Sequence, residues 1–358
     1  MRWIVYWSLL VASVKMFVRN RAALFFSLVV PLLIMLIFGV LKFGGPASVG
    51  LGLVDEAGNA DSHALVAVLK ATASFVVNEG TRQDELAELK TGHRDLVLVI
   101  GSSFDRQHPG APGLVAYTNA ARPEQAQLGA LLLNAVVGRM LAGGGSGGGA
   151  LVATQQLPGR DYGYIDFLVP GIIGLTVMQL GLFSVSFGFV QLKRTGALRR
   201  LFATPTSPAY FLAAQVTSRI LICLAQVMVL LGVGLWFGLH LVGSIVLLLG
   251  VATLGSMIFL ALGFGIAGWA KNEDQAAPVA NLVSLPMTFL SGVFFSRDAM
   301  PALLRTITDY LPLTYLNDAL RRITNDGVGI AQIGGDLLGM GAWAAIAFTI
   351  AVLLFRWE

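Results

Sequence analysis

Side chains able to carry catalysis are few in this chain and poorly spaced for it. The four histidines, His63, His93, His108 and His240, are scattered over polar connections, where each is expected to be a solvated loop residue. Cys223, the one cysteine, lies inside an apolar run, which excludes an internal disulfide framework and argues against a thiolate metal site. There is no Gly-Lys dipeptide, so no phosphate loop of the P-loop type is present. The glycine run Gly143–Gly149 lacks the following Lys-Ser/Thr and reads as a flexible linker. No Gly-x-Ser-x-Gly elbow is expected, since the literal match at Gly144–Gly148 falls inside that linker, and a His-Glu-x-x-His pattern is missing. The expectation is a protein that is not an enzyme and binds neither metal nor cofactor itself.

The cluster that stands out is basic. Gln191–Gln215 carries Lys193, Arg194, Arg199 and Arg200 with no acidic residue, and it lies between two apolar runs of membrane length. Gly196, Pro205 and Pro208 limit it to a short helix lying across a membrane surface, a place for a soluble partner to push. The plainer reading is a positively charged inner loop that serves topology alone.

Composition demands a membrane. Of 358 residues, 56% are hydrophobic and 12% charged, with mean hydropathy +0.75. A soluble domain carries about 25% charged residues. Several apolar runs near 20 residues predict a polytopic α-helical membrane protein. The net charge of +4 is carried by residues flanking apolar runs, not by a basic face with interleaved aromatics, so no nucleic-acid partner is expected.

Taken in order, residues 1–21 read as an interfacial amphipathic helix with Trp3, Trp7, Leu10, Val14, Phe17 and Val18 on one face and Ser8, Lys15 and Arg19 on the other. A signal peptide ending near Val11-Ala12-Ser13 fits less well. Residues 22–43 form the first span, kinked at Pro31. Residues 44–165, with 11 Asp/Glu and 8 Lys/Arg, form a soluble domain on the outer side. Its pattern is α/β: strands at Val49–Asp55, Phe75–Val77, Asp95–Gly101 and Leu114–Tyr117, and helices at Ser62–Ala73, Gln83–Lys90 and Pro123–Ala142. Further spans follow at 166–190, 220–240, 244–270, 275–295 and 337–355. The segment 191–219 is cytoplasmic and places Arg219 at the edge of the third span. Residues 296–336 hold too many charges to cross and read as two short outer amphipathic or re-entrant helices broken at Pro312.

Six spans result, with both termini inside. The inner segments hold Arg2, Lys15, Arg19, Arg21, Lys193, Arg194, Arg199, Arg200, Arg219, Lys271 and Arg356 against Glu273, Asp274 and Glu358, and the outer segments are slightly acidic. Ionisable residues deep in the spans are nearly absent, which weakens an ion-coupled transporter and moves the energy source to a partner. Gln179, Asn281, Ser284 and Thr288 are candidate pathway residues, with helix–helix hydrogen bonding as the competing role. Gly171, Gly174, Gly181, Gly263, Gly265 and Gly268 suit close helix approach.

The chain resembles the permease subunits of ABC-2 type exporters, in the branch with a large extracytoplasmic domain between spans one and two. The resemblance runs the whole length. It rests on Phe17-Val18-Arg19-Asn20, Val54-Asp55, Val97–Ile100, Lys193–Leu201 through Thr204-Pro205, Ser291–Phe295, Met300-Pro301 and Leu311–Tyr315. It implies a type V ABC exporter-like fold in a bacterial-type inner membrane. It also implies a separate ABC ATPase subunit that binds ATP and Mg, a second permease copy or paralogue, lipid contacts, and an apolar or amphipathic cargo such as a drug, antibiotic or lipid. The residues matching the coupling helix are Lys193, Arg194, Gly196, Leu198, Arg199, Arg200 and Leu201. Two positions depart from the family's usual pattern: Arg199 stands where a Glu is common, and Gln215 where a Lys is common. The competing class is a membrane-anchored surface receptor acting through residues 44–165; a bound ATPase would discriminate the two.

Overall fold

The computed structural model describes residues 2–40, 49–104, 113–120, 123–141, 152–158, 163–196, 208–295, 297 and 300–354. The chain divides into two compact units, one of Met1–Lys42 with Ile165–Glu358, the other of Phe43–Tyr164. The first unit opens with helix α1 (Arg2–Arg19), the short α2 (Arg21–Leu24), a π-helical turn (Phe25–Val29) and α3 (Val30–Val40). The expected single apolar face of α1 is divided. Leu10 and Ser13 are buried and the Tyr6 hydroxyl donates to Thr217 Oγ1 at 2.9 Å, whereas Trp3, Ile4 and Trp7 stay exposed. Positions 6, 10 and 13 share one helical face, and that face packs on protein.

The second unit is a five-stranded sheet in the order β2-β1-β3-β4-β5, built from β1 (Val49–Asp55), β2 (Phe75–Glu79), β3 (Leu96–Ile100), β4 (Leu114–Asn119) and β5 (Ala153–Leu157). All pairings are parallel except β3 with β4. Helices α4 (Ala60–Ala71), α5 (Arg82–Thr91) and α6 (Pro123–Leu141) join the strands. Leu51, Leu53, Leu96, Leu98 and Ile100 form a core with Leu65 and Leu69 of α4 and Leu133 and Val137 of α6. Helix α4 starts in a capping box: Asn59 accepts from the Ser62 N–H at 2.7 Å, and Ser62 Oγ accepts from the Asn59 N–H at 3.1 Å. Asp55 sits beside this cap. Its Oδ1 accepts from the Ala57 and Gly58 N–H groups at 3.1 and 3.0 Å, and its Oδ2 accepts from the Ser62 hydroxyl at 2.8 Å. Burial pushes the Asp55 carboxyl upward. The bonds from Gly58, Ser62 and Ala57, with His63 nearby, outweigh it and leave the group below its ordinary range.

The remaining helices return to the first unit: α7 (Tyr164–Arg194), α8 (Pro208–Trp236), α9 (Ile245–Trp269), α10 (Glu273–Leu290), α11 (Ala302–Thr308), α12 (Pro312–Arg321), a π-helical turn (Arg322–Asp326) and α13 (Gly334–Leu354). Among the described residues, four helices are long and apolar enough to cross a membrane: Tyr164–Arg194, Ala209–Trp236, Ile245–Trp269 and Gly334–Leu354. The stretches expected as spans one and five are shorter. The first is interrupted by its π-turn, and α10 begins with Glu273 and Asp274 and holds Pro278 and Pro286. Helix α7 is the most enclosed of the four and α13 the least. The outward faces carry large apolar residues such as Leu221, Met228, Met257, Phe348 and Leu353, as lipid contact requires.

Helix α8 begins well before the expected start of the third span. A proline lacks the N–H that a first helical turn leaves unpaired anyway, so Pro208 starts the helix. Arg219 therefore lies about three turns inside the helix. Helices α7 and α9 meet backbone to backbone. A Cβ on Gly263 would stand 2.8 Å from the Gly181 carbonyl oxygen, and one on Gly181 would stand 2.6 Å from Phe259 Cβ.

Candidate coupling end and helix-hairpin end of the membrane unit

Two polar groupings mark the two ends of α7. With 31 residues, that helix is about 46 Å long, so one element links them.

At the C-terminal end, the Lys193 ammonium donates to the carbonyls of Ala267 at 3.1 Å and Gly268 at 3.4 Å, in the last turn of α9. A cation there satisfies carbonyls that the helix itself leaves unpaired and meets the negative end of its dipole. Arg194 is exposed. Gly196 closes α7 with φ +68 and donates its N–H to the Lys193 carbonyl at 3.1 Å. That left-handed geometry favours glycine. Leu198, Arg199, Arg200 and Leu201 lie outside the described residues. Next to Lys193, the turn from α9 to α10 is shaped by Asn272, whose side chain accepts from the Gln275 N–H at 3.0 Å. Beneath this end is a packed apolar cluster: Leu182, Phe189 and Val190 of α7, Phe211 of α8, Ile266, Ala267 and Ala270 at the end of α9, and Ala276 and Ala280 of α10. The end of α7 thus packs against three other helices.

At the other end, α7 holds the hairpin formed by α11 and α12. Asp166 Oδ1 accepts from the His240 N–H at 2.9 Å, and the Asp166 carbonyl accepts from Asn325 Nδ2 at 3.0 Å. The Arg321 guanidinium lies 3.8 Å from the centroid of the Phe167 ring, donates through Nε to the Phe167 carbonyl at 3.3 Å, and donates to the Gly292 carbonyl. Asn317 donates to the Ser291 carbonyl at 3.1 Å and occupies the space over Gly174 where a side chain would stand. Arg297 pairs with Asp309 at 2.7 Å and with Asp318, and Arg322 pairs with Asp336 at 3.1 Å. The charges that keep 296–336 from crossing as one helix are thus largely used within it. Burial raises the Asp318 carboxyl above its ordinary range, with Arg297 and Arg321 opposing that shift.

The candidate pathway residues sit on two helices, α7 and α10. Gln179 is half-buried on α7. On α10, Asn281 is exposed, Ser284 is buried, and Thr288 donates to the Ser284 carbonyl at 2.8 Å. No hydrogen bond joins Gln179 to the three among the described residues. A different polar face went unrecognised in the sequence. Gln215, Arg219, Cys223 and Gln226 recur at helical spacing on α8, and Gln215, Cys223 and Gln226 are buried. The signal was present as polar residues every three or four positions along an otherwise apolar stretch. No group of three or more His, Cys, Asp or Glu suited to a metal occurs among the described residues.

Comparison with known proteins gives these features a context. The family description "ABC-2 family transporter protein" matches residues 21–353. The probable multidrug ABC transporter permease YbhS of Escherichia coli is 24% identical over 332 residues, 88% of this chain and 87% of that protein. The inner membrane transport permease YadH of Escherichia coli is 24% identical over 210 residues, 59% of this chain and 80% of its own length. ABC transporter G family member 20 of Dictyostelium discoideum is 26% identical over 193 residues, 53% of this chain; the chain spans only 26% of that protein.

Proposed function

The chain belongs to the ABC-2 family of transporter proteins, and on that premise we propose that it is the permease subunit of an ATP-driven exporter. The observation that carries the reading is the extent of the match, which takes in all four membrane-length helices together with the basic segment after α7. We assign ATP and Mg binding to a separate ABC ATPase subunit, since no phosphate loop is found in these 358 residues. The chain itself is then no enzyme. It lies in an inner membrane with six spans, counting α3 with its π-turn and α10, and with both termini cytoplasmic. The unit from Phe43 to Tyr164 faces outward.

In this reading the segment from Lys193 to Pro205 docks on the ATPase, with Lys193, Arg194, Gly196, Leu198, Arg199, Arg200 and Leu201 as its coupling residues. Closure of two ATPase subunits pushes the end of α7. The Lys193 bonds and the apolar cluster beneath them pass that push to α8, α9 and α10. A second permease copy or paralogue completes the pathway, and the exposed Leu282, Leu285 and Phe289 of α10 supply an apolar surface for it or for lipid. The cargo is an amphipathic or hydrophobic molecule, a drug, antibiotic or lipid, in keeping with the probable multidrug permease among the relatives. Gln179, Asn281, Ser284 and Thr288 remain its proposed polar contacts.

Co-expression with neighbouring ATPase genes and purification through a tag on this chain tests the proposal. Recovery of an ATPase in stoichiometric amount is expected. A chain that purifies alone, folded and without any ATPase, would favour the surface-receptor reading and direct attention to ligands of residues 44–165.

A further inference from the structure

Arg219 has no acidic partner among the described residues. Its Nε is buried without a hydrogen bond, and among the described residues its one hydrogen bond is a long one, from Nη1 to Ser218 Oγ at 3.5 Å. An arginine within a spanning helix is costly, so such residues face a partner or a polar cavity. What faces Arg219 is Gly188 of α7: a Cβ there would lie 3.2 Å from Arg219 Nη2. One turn back on α7, Ser184 Oγ is buried without a partner. Two turns along α8, Gln226 is 5% exposed; its Nε2 donates to Ser27 Oγ at 2.8 Å and its Oε1 has no partner. Arg219 as a residue is half-buried, while its Nε is enclosed. Gly188 precedes Lys193 by five residues on α7, about 8 Å along the axis, just inside the level of the basic coupling end.

We propose that Arg219 binds the anionic head of a membrane amphiphile, a phosphate or carboxylate, in the groove between α7 and α8. A planar guanidinium with a free Nε suits the paired oxygens of such a head. The missing side chain at Gly188 lets the guanidinium itself lie against α7, and Ser184 Oγ, one turn away, supplies a neutral donor. The inference rests on the permease reading and narrows its cargo class to amphiphiles that carry negative charge.

The test uses the full chain purified in detergent, with no ATPase present, and counts retained lipid by native mass spectrometry. Phosphatidylglycerol is compared with phosphatidylcholine on wild type, R219Q and R219K. R219Q should bind phosphatidylglycerol about tenfold more weakly, the loss of one charge-assisted hydrogen-bonded contact, with phosphatidylcholine unaffected. R219K keeps the charge and loses the fork, so it should fall between; it also keeps the test valid if R219Q folds poorly. Glycerol phosphate at matched concentration should not displace the lipid. Equal phosphatidylglycerol retention by wild type and R219Q overturns the site, and displacement by glycerol phosphate overturns its restriction to amphiphiles. Because retention is read on this chain alone, failure here and failure to recover an ATPase are separate results.

Discussion

The Lys193 ammonium donates to the Ala267 carbonyl at 3.1 Å, tying the end of α7 to the end of α9. Substituting Lys193→Ala removes a cation from a helix C-terminus, an interaction of about 0.3–1 kcal/mol on surfaces and up to about 2 when partly buried. A lowered melting temperature in detergent is the expected outcome, with membrane insertion intact. In a complex with the ATPase, K193A should retain the partner while its stimulation of ATP turnover by cargo drops.

Gly263 lies where α9 crosses α7 with no room for a side chain. A valine there meets the Gly181 carbonyl oxygen, and overpacking of this kind costs about 1–3 kcal/mol. The control is Gly250 on the same helix, around which a Cβ would meet nothing within 4 Å. Thermal unfolding monitored by tryptophan fluorescence should show G263V destabilised well beyond G250V. Equal losses would mean that the crossing relaxes without cost.

Asp166 fastens the other end of α7 through the His240 N–H at 2.9 Å. Asp166→Ala takes away that acceptor at a buried position, a loss of about 1–3 kcal/mol. Asp166→Asn keeps an acceptor and should cost less. Hydrogen exchange at residues 238–242 reads the effect locally: protection should fall in D166A and be largely kept in D166N.

These sites differ in how far they were legible before the structure. Four of the five strands of the α/β unit were readable, because runs such as Val49–Asp55 and Leu96–Ile100 are short, apolar and ended by turns, and burial on both faces leaves them little alternative. Strand β5 was missed: Ala-Thr-Gln-Gln-Leu carries no apolar pattern, and only its pairing with β4, Val115 opposite Ala153, makes it a strand. The two short helices on either side of Pro312 were readable from apolar spacing and the proline; the Arg321 and Asn325 bonds to α7 join residues more than 150 positions apart and leave no local trace. The early start of α8 was also passed over: Pro208 was the local signal for it, eleven residues before Arg219.

Acid should loosen the start of α4. The Asp55 carboxyl is held below its ordinary range, and the unfolded value is about 3.9. A carboxyl depressed in the folded state contributes stability that is full above the unfolded value and is lost as pH falls through the folded one. The window is therefore below about pH 4. Hydrogen-exchange protection of residues 55–70 in the full chain should decline there in wild type. In D55N it should be lower at neutral pH and flat across the same window; a parallel decline in both would remove Asp55 as the cause.

Coupling through the segment after α7 is the central claim, and ATP turnover by the assembled complex tests it most directly. Leu198→Asp and Leu201→Asp place charges on the apolar side of the proposed docking helix. The account predicts that each abolishes the part of ATP turnover that depends on this chain, while the variant still inserts in the membrane in normal amount. Unchanged turnover in both variants would contradict it and leave Lys193–Pro205 as a loop that sets topology and nothing more.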